Sequence, residues 1–490
     1  MSDIKEITSL IQNPNKEDLA LIQKAYDFAL KVHSGHNRMS GEPYFNHLFA
    51  TAKNLAELGM SAETIAAGFL HDSIEDVNVK AETIEKEFGK EVLFLVEGVT
   101  KLGTLKYRGQ ERYNKSLRKL FVAMSQDLRV LIIKLCDRLH NIETLNYVPK
   151  TKQLRIAKET LEIFAPLAYR LGIKKLQRDL EDTAFAYVYP EESERIKKLL
   201  RLKKEEQEKH LDKFQKALSS ELYKNGITNF HIDHRVKSLY SLYKKLKKYE
   251  DNIESIYDIS ALRVTVPEVP DCYKVLGVVH GSWRPLPGRI KDYIASPKPN
   301  GYRSIHTTIF AGDGSIIEVQ IRTHEMDKEA EYGITSHLVY KKESGNINED
   351  SVLSWVKKIL PGSSKNDVPP WVKEMVKYQE ETGDKSLEDI KKDILEERIF
   401  VFTPKGDVID LPLNSSVIDF AYMIHSDVGD HIAGAKVNGK FVAIYSTLKN
   451  GDRVEIETKK SAKPNIKWTE HCKTTMAKRH IRNVLGIKPK

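Results

Sequence analysis

Cysteine is scarce in this chain: Cys136, Cys272 and Cys472 are the only three among 490 residues, far apart and odd in number. That argues against a disulfide framework and a Cys-rich zinc site, and fits a reducing compartment. No stretch runs without charge for long enough to span a bilayer, so no membrane segment is expected. The opening residues Met1-Ser2-Asp3-Ile4-Lys5-Glu6 hold acids and no apolar run. No signal peptide is read there, and the expected location is cytoplasmic. Internal repeats and low-complexity tracts are also missing.

What is present is the balance of a soluble globular protein, 40% hydrophobic and 30% charged. The length suggests roughly three domains. Lys and Arg exceed Asp and Glu by 78 to 69. That surplus suits polyphosphate substrates or RNA equally well, and any single basic run could be ordinary solvated surface.

Helical spacing dominates the first part of the chain. Apolar residues recur at that period in 18–32, 51–58, 62–70, 92–99, 116–124, 129–139 and 154–171, followed by a charge-laden helical stretch over 191–219. The period then changes. Residues 259–266, 273–280, 307–310 and 315–321 read as strands, with a helix at 236–248, so an α+β middle on a mixed sheet is expected. Residues 341–395 are polar and punctuated by Gly and Pro, and read as a connector with short helices around Trp355 and Trp371. Strand signals at 398–403 and 453–458 frame a small β-rich unit, and the basic tail reads as helix. The domain limits expected are 1–190, 191–340, the linker 341–395, 396–459 and the tail 460–490.

In the helical part, His47, the pair His71-Asp72, and Asp137 combine imidazole and carboxylate, a donor set suited to Mn²⁺, Fe²⁺ or Zn²⁺. Glu75 and Asp76 follow four residues after the pair, one helical turn on, where they could orient or deprotonate an attacking water. A lone His in a bundle is more often a satisfied or surface residue; the whole set in one region is what points to chemistry. In the sheet, Glu318, Gln320 and Arg322 alternate with Ile317, Val319 and Ile321 and should share a cleft-facing side. Asp258 stands at the mouth of the neighbouring strand, so two acids could hold Mg²⁺. Arg235, Lys237, Lys245, Arg263, Arg289, Lys291 and Arg322 are candidate phosphate contacts, although the lysines of 244–248 could equally be solvated surface. Tyr302 follows a Pro/Gly turn expected to leave its ring exposed for stacking.

Long motifs then add a resemblance. His33-Ser-Gly-His-Asn-Arg-Met-Ser-Gly-Glu-Pro-Tyr-Phe-Asn-His47, His71-Asp-Ser-Ile-Glu-Asp76 and Asp137-Arg-Leu-His-Asn141 resemble the HD hydrolase half of RelA/SpoT proteins. Tyr257-Asp-Ile-Ser-Ala-Leu-Arg263, Trp283 to Ile294, Pro297-Lys-Pro-Asn-Gly-Tyr302 and Glu318-Val-Gln-Ile-Arg-Thr323 resemble the synthetase half of the same family. Glu397 to Thr458 resembles its TGS domain. The resemblance implies an all-α HD bundle, an α+β nucleotidyltransferase-like synthetase domain, and a small β-grasp-like TGS domain, in a short form ending after TGS.

It further implies that His47, His71, Asp72 and Asp137 hold manganese, that Glu75 and Asp76 assist hydrolysis, and that Arg38, Ser40, Tyr44 and Asn141 line a nucleotide pocket. In the second half it implies Mg²⁺ on Asp258 and Glu318, with Glu318 also a candidate to activate the acceptor 3′-hydroxyl. Arg235, Lys237 and Lys245 would hold ATP phosphates, Tyr302 would stack on guanine, and Asn300 and His306 would lie nearby. The Arg289-Ile-Lys-Asp292 run follows the basic version that accompanies bifunctional members. Two departures stand out: Met39 replaces the family's usual Lys, and Gly429-Asp430-His431 replaces Gly-His-Arg. The first is expected to weaken hydrolase substrate binding, and the second to weaken a TGS contact with tRNA, since an acid repels phosphate.

The implied reaction pair moves pyrophosphate from ATP to GDP or GTP and hydrolyses it again from (p)ppGpp, with inverse control by a conformational switch. One dominant activity, or a tRNA- or ribosome-binding regulatory protein with vestigial catalytic halves, remain as alternatives.

Overall fold

Apolar residues at helical spacing become helices through most of the first 224 residues. The computed structural model describes residues 3–11, 14–103, 127–253, 256, 259–298, 300–333, 335 and 398–487. After a single helical turn at Lys5–Thr8, the longer helices are α1 (Lys16–Val32), α2 (Phe45–Glu57), α3 (Ala62–Leu70), α4 (Ala81–Gly103) and α5 (Leu128–Glu143), then α6 (Lys150–Glu159), α7 (Ala165–Arg170), α8 (Lys174–Val188) and α9 (Pro190–Lys224). Side-chain caps set several starts: Asn15 accepts from the Asp18 N–H, Ser61 from Thr64 and Asp127 from Arg129. The helix expected over 154–171 is broken by a π turn at Thr160–Phe164. The expected helix at 116–124, the connector 341–395 and Asp258 lie outside the described residues.

Close approach of helices brings the acids and imidazoles together. A Cβ on Gly68 would stand 2.5 Å from Leu55 Cδ1, so α3 lies nearer to α2 than a larger residue would permit. His71, the C-cap of α3, thereby comes beside His47 on α2. One expectation fails here. α3 ends at Leu70 and residues 71–77 run as turns, so His71, Asp72, Glu75 and Asp76 do not share one helix. A single hydrogen bond, from the Asp76 N–H to the Asp72 carbonyl at 2.9 Å, keeps those two one turn apart.

After α9 the chain forms β1 (His231–Val236), α10 (Leu239–Lys248), β2 (Ser260–Val266), α11 (Val269–Ser282), β3 (Lys291–Asp292), β4 (Ile305–Phe310), β5 (Ile316–Thr323) and α12 (His324–Tyr332). The sheet order is β1-β2-β5-β4-β3, with only β2 and β5 parallel. Leu262, Val264, Ile317, Val319 and Ile321 point to one face, where Phe214 and Leu218 of α9 and Val275 and Val279 of α11 cover them. The other face collects the polar residues of the same strands, as period-two alternation requires. Residues 273–280, expected as a strand, belong to α11. Its short apolar run fits either period; Pro270 in the first turn and burial of Cys272, Val275 and Val279 at helical spacing decide for helix. β1 and α12 were not read from the sequence.

The described part of a second compact unit spans residues 398–487. It pairs β6 (Arg398–Phe402) with β7 (Val408–Pro412), and β8 (Ile432–Val437) with β9 (Lys440–Val442) and β10 (Val454–Thr458), around α13 (Val417–Ile424). Buried Asp419 closes a capping box with Ser416 and also accepts from the Thr474 N–H at 2.8 Å, docking the tail helix α14 (Thr475–Val484). Asp430 accepts the Tyr422 hydroxyl at 2.9 Å, a structural use for this acid. Among the described residues no helix is long and apolar enough to cross a membrane.

Candidate active sites

Three helices and one turn meet at the first site. His47 from α2, His71 from the end of α3 and Asp137 from α5 each offer a ligand atom, all within 4.8 Å of one another. Asp72 joins them: its Oδ2 is 3.1 Å from His71 Nε2 and 3.6 Å from His47 Nε2. His71 and Asp137 are buried, and burial of such groups is costly unless a partner or cation compensates.

The ring orientations favour a cation. His71 Nδ1–H donates to the Gly68 carbonyl at 2.8 Å, which turns Nε2 inward. That buried Nε2 makes no hydrogen bond, although Asp72 lies beside it; it is aimed at a shared point. His47 Nδ1–H donates to His140 Nδ1 at 2.9 Å, and Arg38 Nη1 donates to the same atom at 3.0 Å. His140 must therefore accept, and burial, with His47 and Arg38 nearby, pulls it down to about 3. Burial likewise lowers His47. In His71 burial opposes the charge, but Asp72 and Asp137 outweigh it and raise the group to about 9. The donor set, two imidazoles and two carboxylates, fits a divalent cation.

Around this centre the predicted pocket residues form a chain. Arg38 Nη2 donates to Asn141 Oδ1, and Asn141 Nδ2 donates to Asp137 Oδ1. Tyr44 donates to Asp72 Oδ2 at 2.7 Å and stacks on His33. Ser40 sits in the tight loop with Gly41, accepting from the Glu42 N–H at 3.4 Å. Glu75 and Asp76 are exposed at the rim; burial, then the charges of Asp72 and Asp76, raise Glu75. Sequence reasoning missed Lys134, whose Nζ is 2.6 Å from Asp137 Oδ2, and His140. Their spacing from Asp137, three residues to either side on α5, was the available signal.

The second site lies on the polar face of the sheet. Tyr302 donates to His306 Nε2 at 2.8 Å, and His306 Nδ1–H donates to Glu318 at 2.9 Å. Gln320 donates to Glu318 at 2.9 Å and accepts from Arg235 at 2.7 Å. Burial, with Lys298 and Lys174 adding to it, lowers His306 to about 4, so it serves as a neutral relay between phenol and carboxylate. Lys237 follows β1, Lys245 lies on α10, and Arg289 and Lys291 lead into and start β3. The Asn300 side chain accepts from the Tyr302 N–H at 3.3 Å and shapes the turn.

Three expectations change here. Arg263 is bound by the carboxylates of Asp233 at 2.6 Å, Asp327 at 3.1 Å and Glu331 at 3.4 Å, so it supports the sheet instead of facing phosphate. Arg322 is buried and pairs with Asp327 at 2.5 Å. Tyr302, expected to be exposed, is only 4% accessible.

Residues 25–174 match the HD domain family, residues 234–345 the region found in RelA/SpoT proteins, and residues 399–458 the TGS domain. A guanosine-3′,5′-bis(diphosphate) 3′-pyrophosphohydrolase of Borreliella burgdorferi is 41% identical over 97% of this chain and 70% of its own length. The chain belongs to the RelA/SpoT family. Other RelA/SpoT relatives include a pyrophosphohydrolase of the same description from Aquifex aeolicus, 43% identical over 95% of this chain and 64% of that protein. A GTP pyrophosphokinase of Myxococcus xanthus is 42% identical over 96% of this chain and 60% of that protein. The chain thus spans somewhat less than two thirds of these last two relatives. The fold follows the RelA/SpoT order of HD, synthetase and TGS regions.

Proposed function

We propose that the chain carries two opposing alarmone activities. The sheet site moves the β,γ-pyrophosphate of ATP onto the 3′-hydroxyl of GDP or GTP, and the helical site hydrolyses that 3′-pyrophosphate from (p)ppGpp. The observation that carries this reading is the convergence of His47, His71 and Asp137, with Asp72 alongside, in a chain that also aligns Tyr302, His306 and Glu318. Relatives whose names state each activity support it.

In the helical site His47, His71, Asp72 and Asp137 would hold Mn²⁺, which when bound supplies Lewis-acid polarisation of the scissile phosphate. Arg38, Ser40, Tyr44 and Asn141 line the nucleotide pocket. Glu75, whose affinity for protons is raised, takes a proton from the attacking water with Asp76 beside it. On the sheet, Asp258 and Glu318 would hold Mg²⁺ for charge neutralisation on the triphosphate. Glu318 accepts the 3′-hydroxyl proton while the His306 N–H fixes its orientation. Arg235, Lys237, Lys245, Arg289 and Lys291 bind phosphates, and Tyr302 with Asn300 and His306 forms the guanine pocket.

The TGS unit would meet tRNA or the ribosome only weakly, because Asp430 is an acid where phosphate would approach. A cytoplasmic location accords with three buried free cysteines.

The test is two incubations, one with ATP, GDP and Mg²⁺ and one with (p)ppGpp and Mn²⁺. Formation of alarmone in the first and release of pyrophosphate in the second are expected. Failure of both, with no response to either cation, would favour the vestigial regulatory reading.

Cation binding at the helical site should also release protons. His71 holds its proton up to about pH 9, and a cation must displace it. Mn²⁺ affinity is therefore expected to rise with pH, by about tenfold per unit below that value, and to fall on acidification. Calorimetry at pH 7 in buffers of different ionisation enthalpy should find about one proton released per ion. An affinity flat between pH 6 and 8 (about a hundredfold change being expected) would contradict the ligand assignment.

A further inference from the structure

We infer that Lys174 gates the acceptor pocket of the synthetase site: its ammonium lies on the ring of Tyr302, in the place a guanine base would take. The inference rests on the assignment of Tyr302 as the stacking platform. Lys174 opens α8, directly after the turn that ends the HD-like helices, and neither composition nor motif marked it.

Lys174 Nζ stands 3.2 Å from the Tyr302 ring centroid, closer than the roughly 3.5 Å at which stacked carbon atoms rest. No base can share that position. Around the rest of the ring stand His306, edge-on at 5.8 Å, Tyr293 at 6.0 Å and Lys298 at 5.4 Å. With the ring 4% accessible, a base reaches it only after something moves.

Lys174, like Lys298 beside it, has little but aromatic rings to hold it. Among the described residues no carboxylate forms an ion pair with it, whereas Arg263, Arg303 and Arg322 are paired. Burial and the charges of Arg235, Lys298 and Arg322 disfavour its ammonium form, with the charge of Glu331 opposing them. The aromatic face is the group in direct contact with the ammonium, and a purine would take that face away. An incoming nucleoside polyphosphate brings negative charge for the surrounding cations and a base for the ring, so each part of the ligand replaces something Lys174 supplies or suffers.

The preceding turn is seated firmly enough to make the contact reproducible. Gly333, at the end of α12, has φ of +56°, and a Cβ there would lie 2.3 Å from the Leu171 carbonyl oxygen. Backbone therefore packs on backbone at this point. The next residue, Lys175, pairs with Glu57 at the end of α2, the helix that carries His47. The gate is thus tied to the helical site by its immediate neighbour.

The full chain is tested as Lys174→Ala, Lys174→Met and Lys174→Arg, with Tyr302→Ala as the control for the platform. GDP affinity is measured by calorimetry without ATP, and kcat and KM for GDP with ATP and Mg²⁺. If the ammonium blocks the ring, Ala and Met both tighten GDP binding about fivefold or more and lower KM with kcat little changed, because the closed fraction no longer taxes affinity. Arg, a cation of longer reach, stays near the unaltered chain. GDP binding that weakens in Ala and Met would make Lys174 a substrate contact and overturn the gate; affinity unchanged within about twofold would reduce it to packing. Tyr302→Ala should weaken GDP about tenfold or more. If it does not, the platform assignment fails and takes the gate with it; if it does and Lys174→Ala has no effect, the gate alone fails.

Discussion

Asp72→Ala is expected to reduce (p)ppGpp hydrolysis by at least about a thousandfold, about 4 kcal/mol of transition-state stabilisation, while synthesis stays within about threefold. Asp72 lies on a turn, not in a core, and its carboxylate faces His71, His47 and the Tyr44 hydroxyl. Alanine there removes a proposed cation ligand and leaves Tyr44 without its acceptor, yet deletes little packing, since α2, α3 and α5 keep their apolar contacts. The loss should appear as kcat in single-turnover pyrophosphate release and as weaker Mn²⁺ binding. Equal loss of synthesis would mean that the two centres are not chemically separate.

Glu318→Gln should give the mirror image, at least about a thousandfold less alarmone synthesis with hydrolysis retained. The replacement keeps the shape of a side chain in the middle of a sheet, between Thr308 on β4 and Ala261 on β2. An amide oxygen can still accept from the His306 N–H and from Gln320, so register and folding should survive. What disappears is the negative charge proposed to hold Mg²⁺ and take the hydroxyl proton. Rates should fall through kcat more than through KM for ATP, whose phosphates are proposed to rest on Arg235, Lys237 and Lys245. Wild-type rates in Glu318→Gln would remove the sheet from the mechanism.

The metal-type residues were readable because imidazole and carboxylate in one helical region have few alternative uses, and long uninterrupted motifs fixed their partners. Glu318 was readable for a related reason: an acid alternating with Ile317 and Val319 must face away from the core. What could not be read depends on residues distant in the chain. Arg263 looks like any basic phosphate contact until β1 and α12 bring Asp233, Asp327 and Glu331 to it. Tyr302 looks exposed after its Gly turn until α8 lays Lys174 across it. The strand read at 273–280 failed because a short apolar run carries no period of its own, and the sheet it covers settles the matter. Such errors come from tertiary contacts overriding local pattern.

Helix α8 has a consequence for dividing the molecule. An inventory of domains would cut the chain after residue 190 and assign α8 to the hydrolase. Yet fully buried Phe185 packs with Leu242, Leu246, Ile256 and Ile259, and Asp182 accepts the Leu239 and Tyr240 N–H groups at the start of α10. A synthetase fragment beginning at residue 191 would lose both the ring that fills this core, worth about 3–5 kcal/mol, and the anion that caps the helix bearing Lys245. The helical and sheet regions hold one structural member in common, and neither can be excised whole without taking it from the other.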